Sequence, residues 1–179
     1  MCCGHDLDQI WPYPGPKVDG QEQQPPAVSE APRGMYPSRL DDKGRIKLPA
    51  AFQQFFGGLV EKKLFVTSLD RRTAQIYTME AWRQNEKFFD SYNDDPALAE
   101  AVAFIANDLG SEAEMDSQGR ITFSTELRRE LGIENQPVRI YSYKGRIEVF
   151  SEKLYEERKQ SSGTVTAEGL TKLQKAGLK

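Results

Sequence analysis

Chemically versatile side chains are scarce in this chain of 179 residues. It holds two cysteines and one histidine, and all three, Cys2, Cys3 and His5, lie at the extreme N-terminus. Adjacent thiols there cannot cross-link distant parts of a fold, so a disulfide framework is excluded and a reducing compartment fits. Two neighbouring thiols and one imidazole also make an incomplete ligand shell, so no metal site is expected. With no glycine-rich phosphate loop, and no nucleophile that can be matched to a base, the sequence argues against an enzyme. Neither a cofactor nor a small-molecule substrate is expected. No apolar run approaches the roughly 18 residues of a membrane span, and the first residues lack the charged start and apolar stretch of a secretory signal. A cytoplasmic protein without a membrane partner is the expectation.

Excess charge is also missing. The formal net charge is −3, which looks wrong for a nucleic-acid binder until it is divided by region. Residues 1–34 hold Lys17 and Arg33 against Asp6, Asp8, Asp19, Glu22 and Glu30, and this segment accounts for the whole surplus. The remainder is balanced, so what matters is whether its cations gather on one surface. The same 34 residues contain six prolines beside a QEQQ run and show no apolar periodicity. They are expected to form a disordered extension, although Met35, directly before the patterned sequence, leaves a start at that position open.

What the chain does have is an internal repeat. LDDKGRIKLP begins at Leu40 and MDSQGRITFS at Met115, so Asp-x-x-Gly-Arg recurs at an offset of 75 residues. The alignment pairs Asp41 with Asp116, Gly44 with Gly119, Arg45 with Arg120 and Ile46 with Ile121. Apolar partners follow at Leu48/Phe123, Phe52/Leu127 and Phe56/Leu131. Downstream, LFVT at 64–67 answers VRIY at 138–141, and AQIYTMEAW at 74–82 answers IEVFSEKLY at 147–155, with a loop about two residues longer in the first copy. A unit of about 45 residues is near the limit for burying a core alone, so the two copies are expected to share one.

Each copy reads as strand, turn, strand, short helix and hairpin. Aspartate first and glycine fourth suit a type I turn, in which Asp41 and Asp116 accept local N–H groups and Gly44 and Gly119 supply positive φ. Alternation after the turn sends Ile46 and Leu48 inward and Arg45 and Lys47 outward, with Ile121/Phe123 and Arg120/Thr122 doing the same in the second copy. Two helices, 79–92 and 96–109, separate the copies; Asp95 followed by Pro96 marks a helix start and Gly110 a stop. ALAEAVAFIA within the second helix is apolar enough to be largely buried. After Tyr155 the sequence thins, and a frayed or weakly helical tail is expected. Trp82 and Tyr155, at matched positions, read as core. Arg71 and Arg72 read as a solvated loop.

Taken alone, the Asp41–Arg45 and Asp116–Arg120 spacings fit turn-stabilising ion pairs, worth about 0–1 kcal/mol each when exposed. The doubled motif with matched flanks and a helical linker, however, resembles the MraZ family across roughly residues 35–155. That family comprises bacterial regulators of the division and cell-wall gene cluster, built from two SpoVT-AbrB units. The extension at 1–34 and Ser124, where the first copy has Pro49, depart from the family pattern. The resemblance implies an α+β fold: a pseudo-twofold swapped-hairpin β-barrel made from two such units, 35–82 and 110–155, with a helical linker at 83–109 and a tail at 156–179. It further implies ring-like homo-oligomers on double-stranded promoter DNA containing repeated boxes, and a nucleoid-associated location.

On this reading Arg45 and Arg120 are the DNA contacts, aimed by their turns, because a guanidinium can donate two parallel hydrogen bonds to phosphate or to a guanine edge. Lys43 and Lys47 flank Arg45, and Arg39 precedes it, against Asp41 and Asp42. The second copy has Gln118 and Thr122 at the matching places, so the first is expected to attract DNA more strongly; Arg128 and Arg129 could add charge to the second. A different reading makes the protein an antitoxin-like or scaffold protein acting through a protein partner. SpoVT-AbrB antitoxins, however, carry one unit and a C-terminal binding segment, whereas the extension here is N-terminal.

Overall fold

The computed structural model describes residues 30–179, so the readings of Cys2, Cys3, His5 and most of the proline-rich extension lie outside the described residues. The repeat is visible in the order of elements. The first half runs β1 (Met35–Arg39), β2 (Arg45–Lys47), α1 (Ala50–Gly58), β3 (Lys63–Thr67) and β4 (Ala74–Thr78). Helices α2 (Met79–Ser91) and α3 (Pro96–Leu109) follow. The second half repeats the series as β5 (Ser111–Glu114), β6 (Arg120–Thr122), α4 (Thr125–Leu131), β7 (Pro137–Tyr143) and β8 (Arg146–Ser151), ending in α5 (Glu152–Ser162) and α6 (Ala167–Lys175). The fold class is α+β.

Local chemistry explains most helix starts. Thr78, Ser124 and Ser151 each accept an N–H from the third residue on, capping α2, α4 and α5. Asp95 caps α3 in the same way, with Pro96 at the first helical position. At α1 the cap is Pro49, whose side chain makes no hydrogen bond. Proline and serine therefore start the matched helices by different means, one by a fixed φ and the other by an accepted hydrogen bond.

Strand pairing crosses between the halves. Six antiparallel strands form one sheet in the order β1-β7-β8-β4-β3-β5, and β2 pairs with β6 in a separate two-stranded ribbon. Each half therefore lays its first strand against the other half's hairpin: β1 on β7, with Met35 opposite Tyr141, and β5 on β3, with Glu114 opposite Lys63. The order is unchanged when every strand is exchanged for its counterpart in the other half. Among the described residues no strand pairing closes the barrel that the family resemblance implies. The sheet ends at β1 and β5, and the ribbon is tied to the β1 segment by an isolated bridge between Leu40 and Ile46 and by the Ser38 hydroxyl, which donates to the Lys47 carbonyl at 2.6 Å. With three residues each before Pro49 and Ser124 turn the chain into helices, β2 and β6 are too short to extend the ladder further.

One core serves both halves, as the size of the repeat requires. Ile46, Leu48, Phe52, Phe56, Leu64 and Ile76 from the first half cluster with Ile121, Phe123, Leu127, Val138, Ile140 and Val149 from the second. A smaller cluster lies between β3–β4 and the helices α2–α3, where Trp82 stacks on Phe65 with ring centroids 4.2 Å apart. Tyr155, matched to Trp82, is instead half-buried beneath the Arg139 guanidinium.

Three further expectations change. Helix α3 is buried along one stripe, at Ala99, Ala106 and Leu109, while Leu98 and Phe104 are 53% and 68% exposed because no element among the described residues covers that side. The tail is helical, with α5 packed on β7 and β8 and α6 capped by Thr166. The hairpin loops differ by more than the alignment suggests. The first spans 68–73, whereas the second is Lys144-Gly145 alone, with φ of 49° and 78°, the two-residue turn that matches strand twist.

Candidate nucleic-acid interface

The Asp-x-x-Gly-Arg turn builds itself twice with nearly the same geometry. Asp41 Oδ1 accepts the backbone N–H of Lys43 (3.0 Å) and of Arg45 (2.8 Å), and Asp116 Oδ1 accepts those of Gln118 and Arg120 (2.9 Å each). The Gly44 N–H reaches Asp41 O at 3.0 Å and the Gly119 N–H reaches Asp116 O at 2.9 Å. Gly44 and Gly119 sit at φ +75° and +71°, where any other residue is strained. The arginines close the motif: Nε of Arg45 donates to Asp41 Oδ2 at 2.8 Å, with Nη2 2.7 Å from the same oxygen in the ion pair, and Arg120 is placed in the same way on Asp116. That ion pair satisfies the structural reading. It also leaves the Nη1 donors of each guanidinium outside the pair, on side chains that remain about a quarter exposed.

Pairing of β2 with β6 then brings the two turns together. Arg45 stands opposite Thr122, Ile46 opposite Ile121 and Lys47 opposite Arg120. Because side chains alternate, the fully buried isoleucines point into the core, and Arg45, Lys47, Arg120 and Thr122 share the outer face. Arg45 and Arg120 are diagonal neighbours, a relation that spans roughly 7–8 Å. Sequence reading expects two small contact surfaces, one per copy. The structure has a single face, and the inequality between the copies becomes a gradient across one ribbon.

The other candidates divide. Lys43 is exposed, and its ammonium has no hydrogen-bond or ion-pair partner among the described residues. Lys47 donates to the Gln118 carbonyl and so bridges to the second turn. Arg39 does not join the patch: its Nη2 donates to the carbonyl and side-chain oxygens of Asn135, at 2.8 and 3.1 Å, tying β1 to the segment before β7. Arg128 does not face solvent either; its side chain is 13% exposed and lies against Gly44. Arg71 pairs with Glu130 and Asp108, and Arg72 with Glu157, so the loop arginines hold elements together. Ribbon and turns together present Lys43, Arg45, Lys47 and Arg120 against Asp41, Asp42 and Asp116.

Comparison with known proteins places this arrangement. The chain is 31% identical over 147 residues to the transcriptional regulator MraZ of Acidobacterium capsulatum, covering 82% of this chain and 99% of that protein. The chain belongs to the MraZ family. The Koribacter versatilis regulator of the same name is 33% identical over 105 residues (58% of this chain, 71% of the relative). That of Caldanaerobacter subterraneus is 30% identical over 131 residues (72% and 87%). A family model described as "MraZ protein, putative antitoxin-like" matches residues 110–172, the second half and most of the tail. Among the described residues no helix is long and apolar enough to cross a membrane, and no group of three or more histidine, cysteine or acidic residues could hold a metal ion.

Within this MraZ family member the turn carboxylates report on the motif. Hydrogen bonding from the Arg45 side chain, reinforced by its backbone N–H, holds Asp41 below the ordinary carboxylate value. At Asp116 partial desolvation pushes upward, and the hydrogen bonds from Arg120 and Gln118 outweigh it, so its pKa also falls. A depressed folded-state pKa stabilises above the unfolded value and loses that contribution as pH drops through the folded one. Amide protection at Arg45 and Arg120 is therefore expected to survive down to about pH 4 and to fade below it. In Asp41→Asn the first turn should lose this pH dependence while the second keeps it. A pH series of amide exchange decides the matter, and a midpoint above the ordinary value of 3.8 would contradict the geometry.

Sequence reading misses Gln53 and gives Arg128 a different part, as added charge for the second copy. Gln53 and Arg128 occupy equivalent positions under the 75-residue offset, and each packs over the glycine of the other half's turn. The only sequence signal is a long polar side chain at the same place in both helices.

Proposed function

We propose that the β2–β6 ribbon is the face with which this protein reads double-stranded promoter DNA as a transcriptional regulator. The observation that carries the proposal is the placement of Arg45, Lys47 and Arg120 together on one exposed face, with Lys47 directly opposite Arg120. Like charges across a ribbon cost stability; Asp41 and Asp116 each offset one arginine, and an anionic partner would add to that compensation. A two-stranded ribbon has the dimensions to enter the major groove, where arginine can address guanine edges. The names of the relatives, all transcriptional regulators, support the same reading.

The two halves, 35–82 and 110–155, are taken as two SpoVT-AbrB units that exchange hairpins about a pseudo-twofold axis, joined by a linker at 83–109, preceded by an extension at 1–34 and followed by a tail at 156–179. Reciprocal pairing of β1 with β7 and β5 with β3 supports this. A single ribbon covers few base pairs, so specific binding calls for several subunits acting through avidity on repeated boxes. The uncovered Leu98 and Phe104 of α3 and Leu170 and Leu173 of α6 are consistent with such a ring. The proposed target is the division and cell-wall gene cluster, and the place of action the nucleoid in the cytoplasm.

Arg45→Ala tests the ribbon. Its side chain is partly exposed and its loss leaves the core intact, so folding should be unaffected while affinity for the duplex immediately upstream of the protein's own gene falls about tenfold at fixed salt. Arg120→Ala should lose a comparable amount, because both arginines serve one face. A gel-shift titration in which both variants bind like the parent would remove the ribbon from the account.

A further inference from the structure

The two turns are held from opposite halves of the chain. Gly44 O accepts the Phe123 N–H at 2.9 Å, and Phe123 O accepts Nη1 of Arg128 at 2.9 Å. In the mirror arrangement Gly119 O accepts the Leu48 N–H at 2.9 Å, and Leu48 O accepts Nε2 of Gln53 at 2.6 Å. Both side chains close directly on the glycine they serve: a Cβ on Gly44 would overlap the Arg128 guanidinium, and one on Gly119 would overlap the Gln53 amide. Arg128 is further fixed by Thr125 Oγ1 at 3.3 Å and by Glu134 at 3.6 Å.

We propose that Arg128 and Gln53 are positioning residues for the ribbon, each acting on the turn of the other half. Two features argue for positioning rather than contact. At 13% exposure the Arg128 side chain has little surface to offer a phosphate; Nη1 and Nη2 each donate within the protein, to Phe123 and Thr125, and Glu134 lies beside Nε. Its counterpart is an uncharged glutamine, so the shared feature is a planar donor group that reaches a carbonyl while filling the space over a glycine, and charge is incidental. The device makes the ribbon a joint product of both halves: α4 sets the loop that aims Arg45, and α1 sets the loop that aims Arg120. Glycine is required at both turns for a second reason beyond positive φ, because the clamp occupies the position of a Cβ.

Hydrogen exchange on the full chain tests the crossing directly. In Arg128→Ala the amides of Gly44 and Arg45 should exchange roughly five- to tenfold faster, with those of Gly119 and Arg120 changed less than about twofold. Gln53→Ala should give the reverse pattern and decides the issue should Arg128→Ala not fold. Arg128→Gln installs the group that the other half already uses and should restore protection at Gly44. Equal effects on both turns, effects confined to the mutated half, or no rescue by glutamine would overturn the proposal. The consequence for DNA rests on the function proposed above: Arg128→Ala should lower discrimination between the upstream duplex and a scrambled one severalfold. Its salt dependence should stay unchanged, since no phosphate contact is lost. Failure of the parent chain to bind either duplex would sink the DNA reading and leave the exchange result to decide the cross-half clamp.

Discussion

Replacing Phe123 with alanine is expected to cost about 3–5 kcal/mol and to unfold both halves of the chain together. Phe123 is 1% exposed and sits in the shared core with Leu48, Phe52 and Leu127. Its N–H also links the halves by donating to the Gly44 carbonyl, while its own carbonyl accepts from Arg128. Removing the ring leaves a cavity walled by side chains from both repeats, and neither set can collapse into it without dragging its own strands. A chain of this size should then lose roughly 6–20 °C in Tm. Urea unfolding followed by fluorescence and by far-ultraviolet circular dichroism should give one transition in both proteins, coincident between probes. A loss below about 1 kcal/mol, or two separable transitions, would show that each repeat carries its own core.

The second large effect is on binding. Arg45→Ala combined with Arg120→Ala strips the ribbon of both guanidiniums while leaving Ile46 and Ile121 beneath it. A well-placed arginine–base pair contributes about 1–3 kcal/mol, so the double variant should bind its upstream duplex at least about a hundredfold more weakly. Single-face geometry sharpens this expectation. Two separate surfaces would let one arginine compensate for the other by reorientation of the chain, whereas diagonal neighbours on one ribbon meet the same stretch of duplex together. Thermal stability should move little, since each Asp–Arg pair is a surface contact and its loss leaves the core beneath intact. The freed Asp41 and Asp116 carboxylates would add repulsion, each already felt in the corresponding single variant.

The repeat, the turn chemistry and the inward isoleucines were legible because each is encoded locally. Aspartate and glycine at fixed spacing make a turn wherever they occur, and alternation sends Ile46 and Ile121 inward regardless of partner. The helix start at Asp95-Pro96 was equally local. Three things were not legible. That β2 pairs with β6, and so merges two arginine turns into one face, depends on contacts 75 residues apart that no short window contains. The diversion of Arg39 to Asn135 depends on β1 lying beside β7, again a choice between halves. The exposure of Phe104 depends on which side of α3 receives a neighbour, and composition counts the apolar residues without saying which of them are covered. Arg128 illustrates the same limit in one side chain: by sequence it is a surface cation on a helix, and only its approach to Gly44 turns it into part of the turn.

The most direct test of the account is the affinity of the full chain for the duplex upstream of its own gene across about 50–200 mM salt, measured for the parent and for the Arg45→Ala/Arg120→Ala variant. The parent should prefer that duplex to a scrambled one and weaken steeply with salt. The variant should lose most of the preference at every salt, and the slope of log affinity against log salt should fall by about one for each phosphate contact an arginine makes. Parent and variant binding with equal affinity and equal salt dependence would contradict the central claim that the ribbon is the surface that meets DNA.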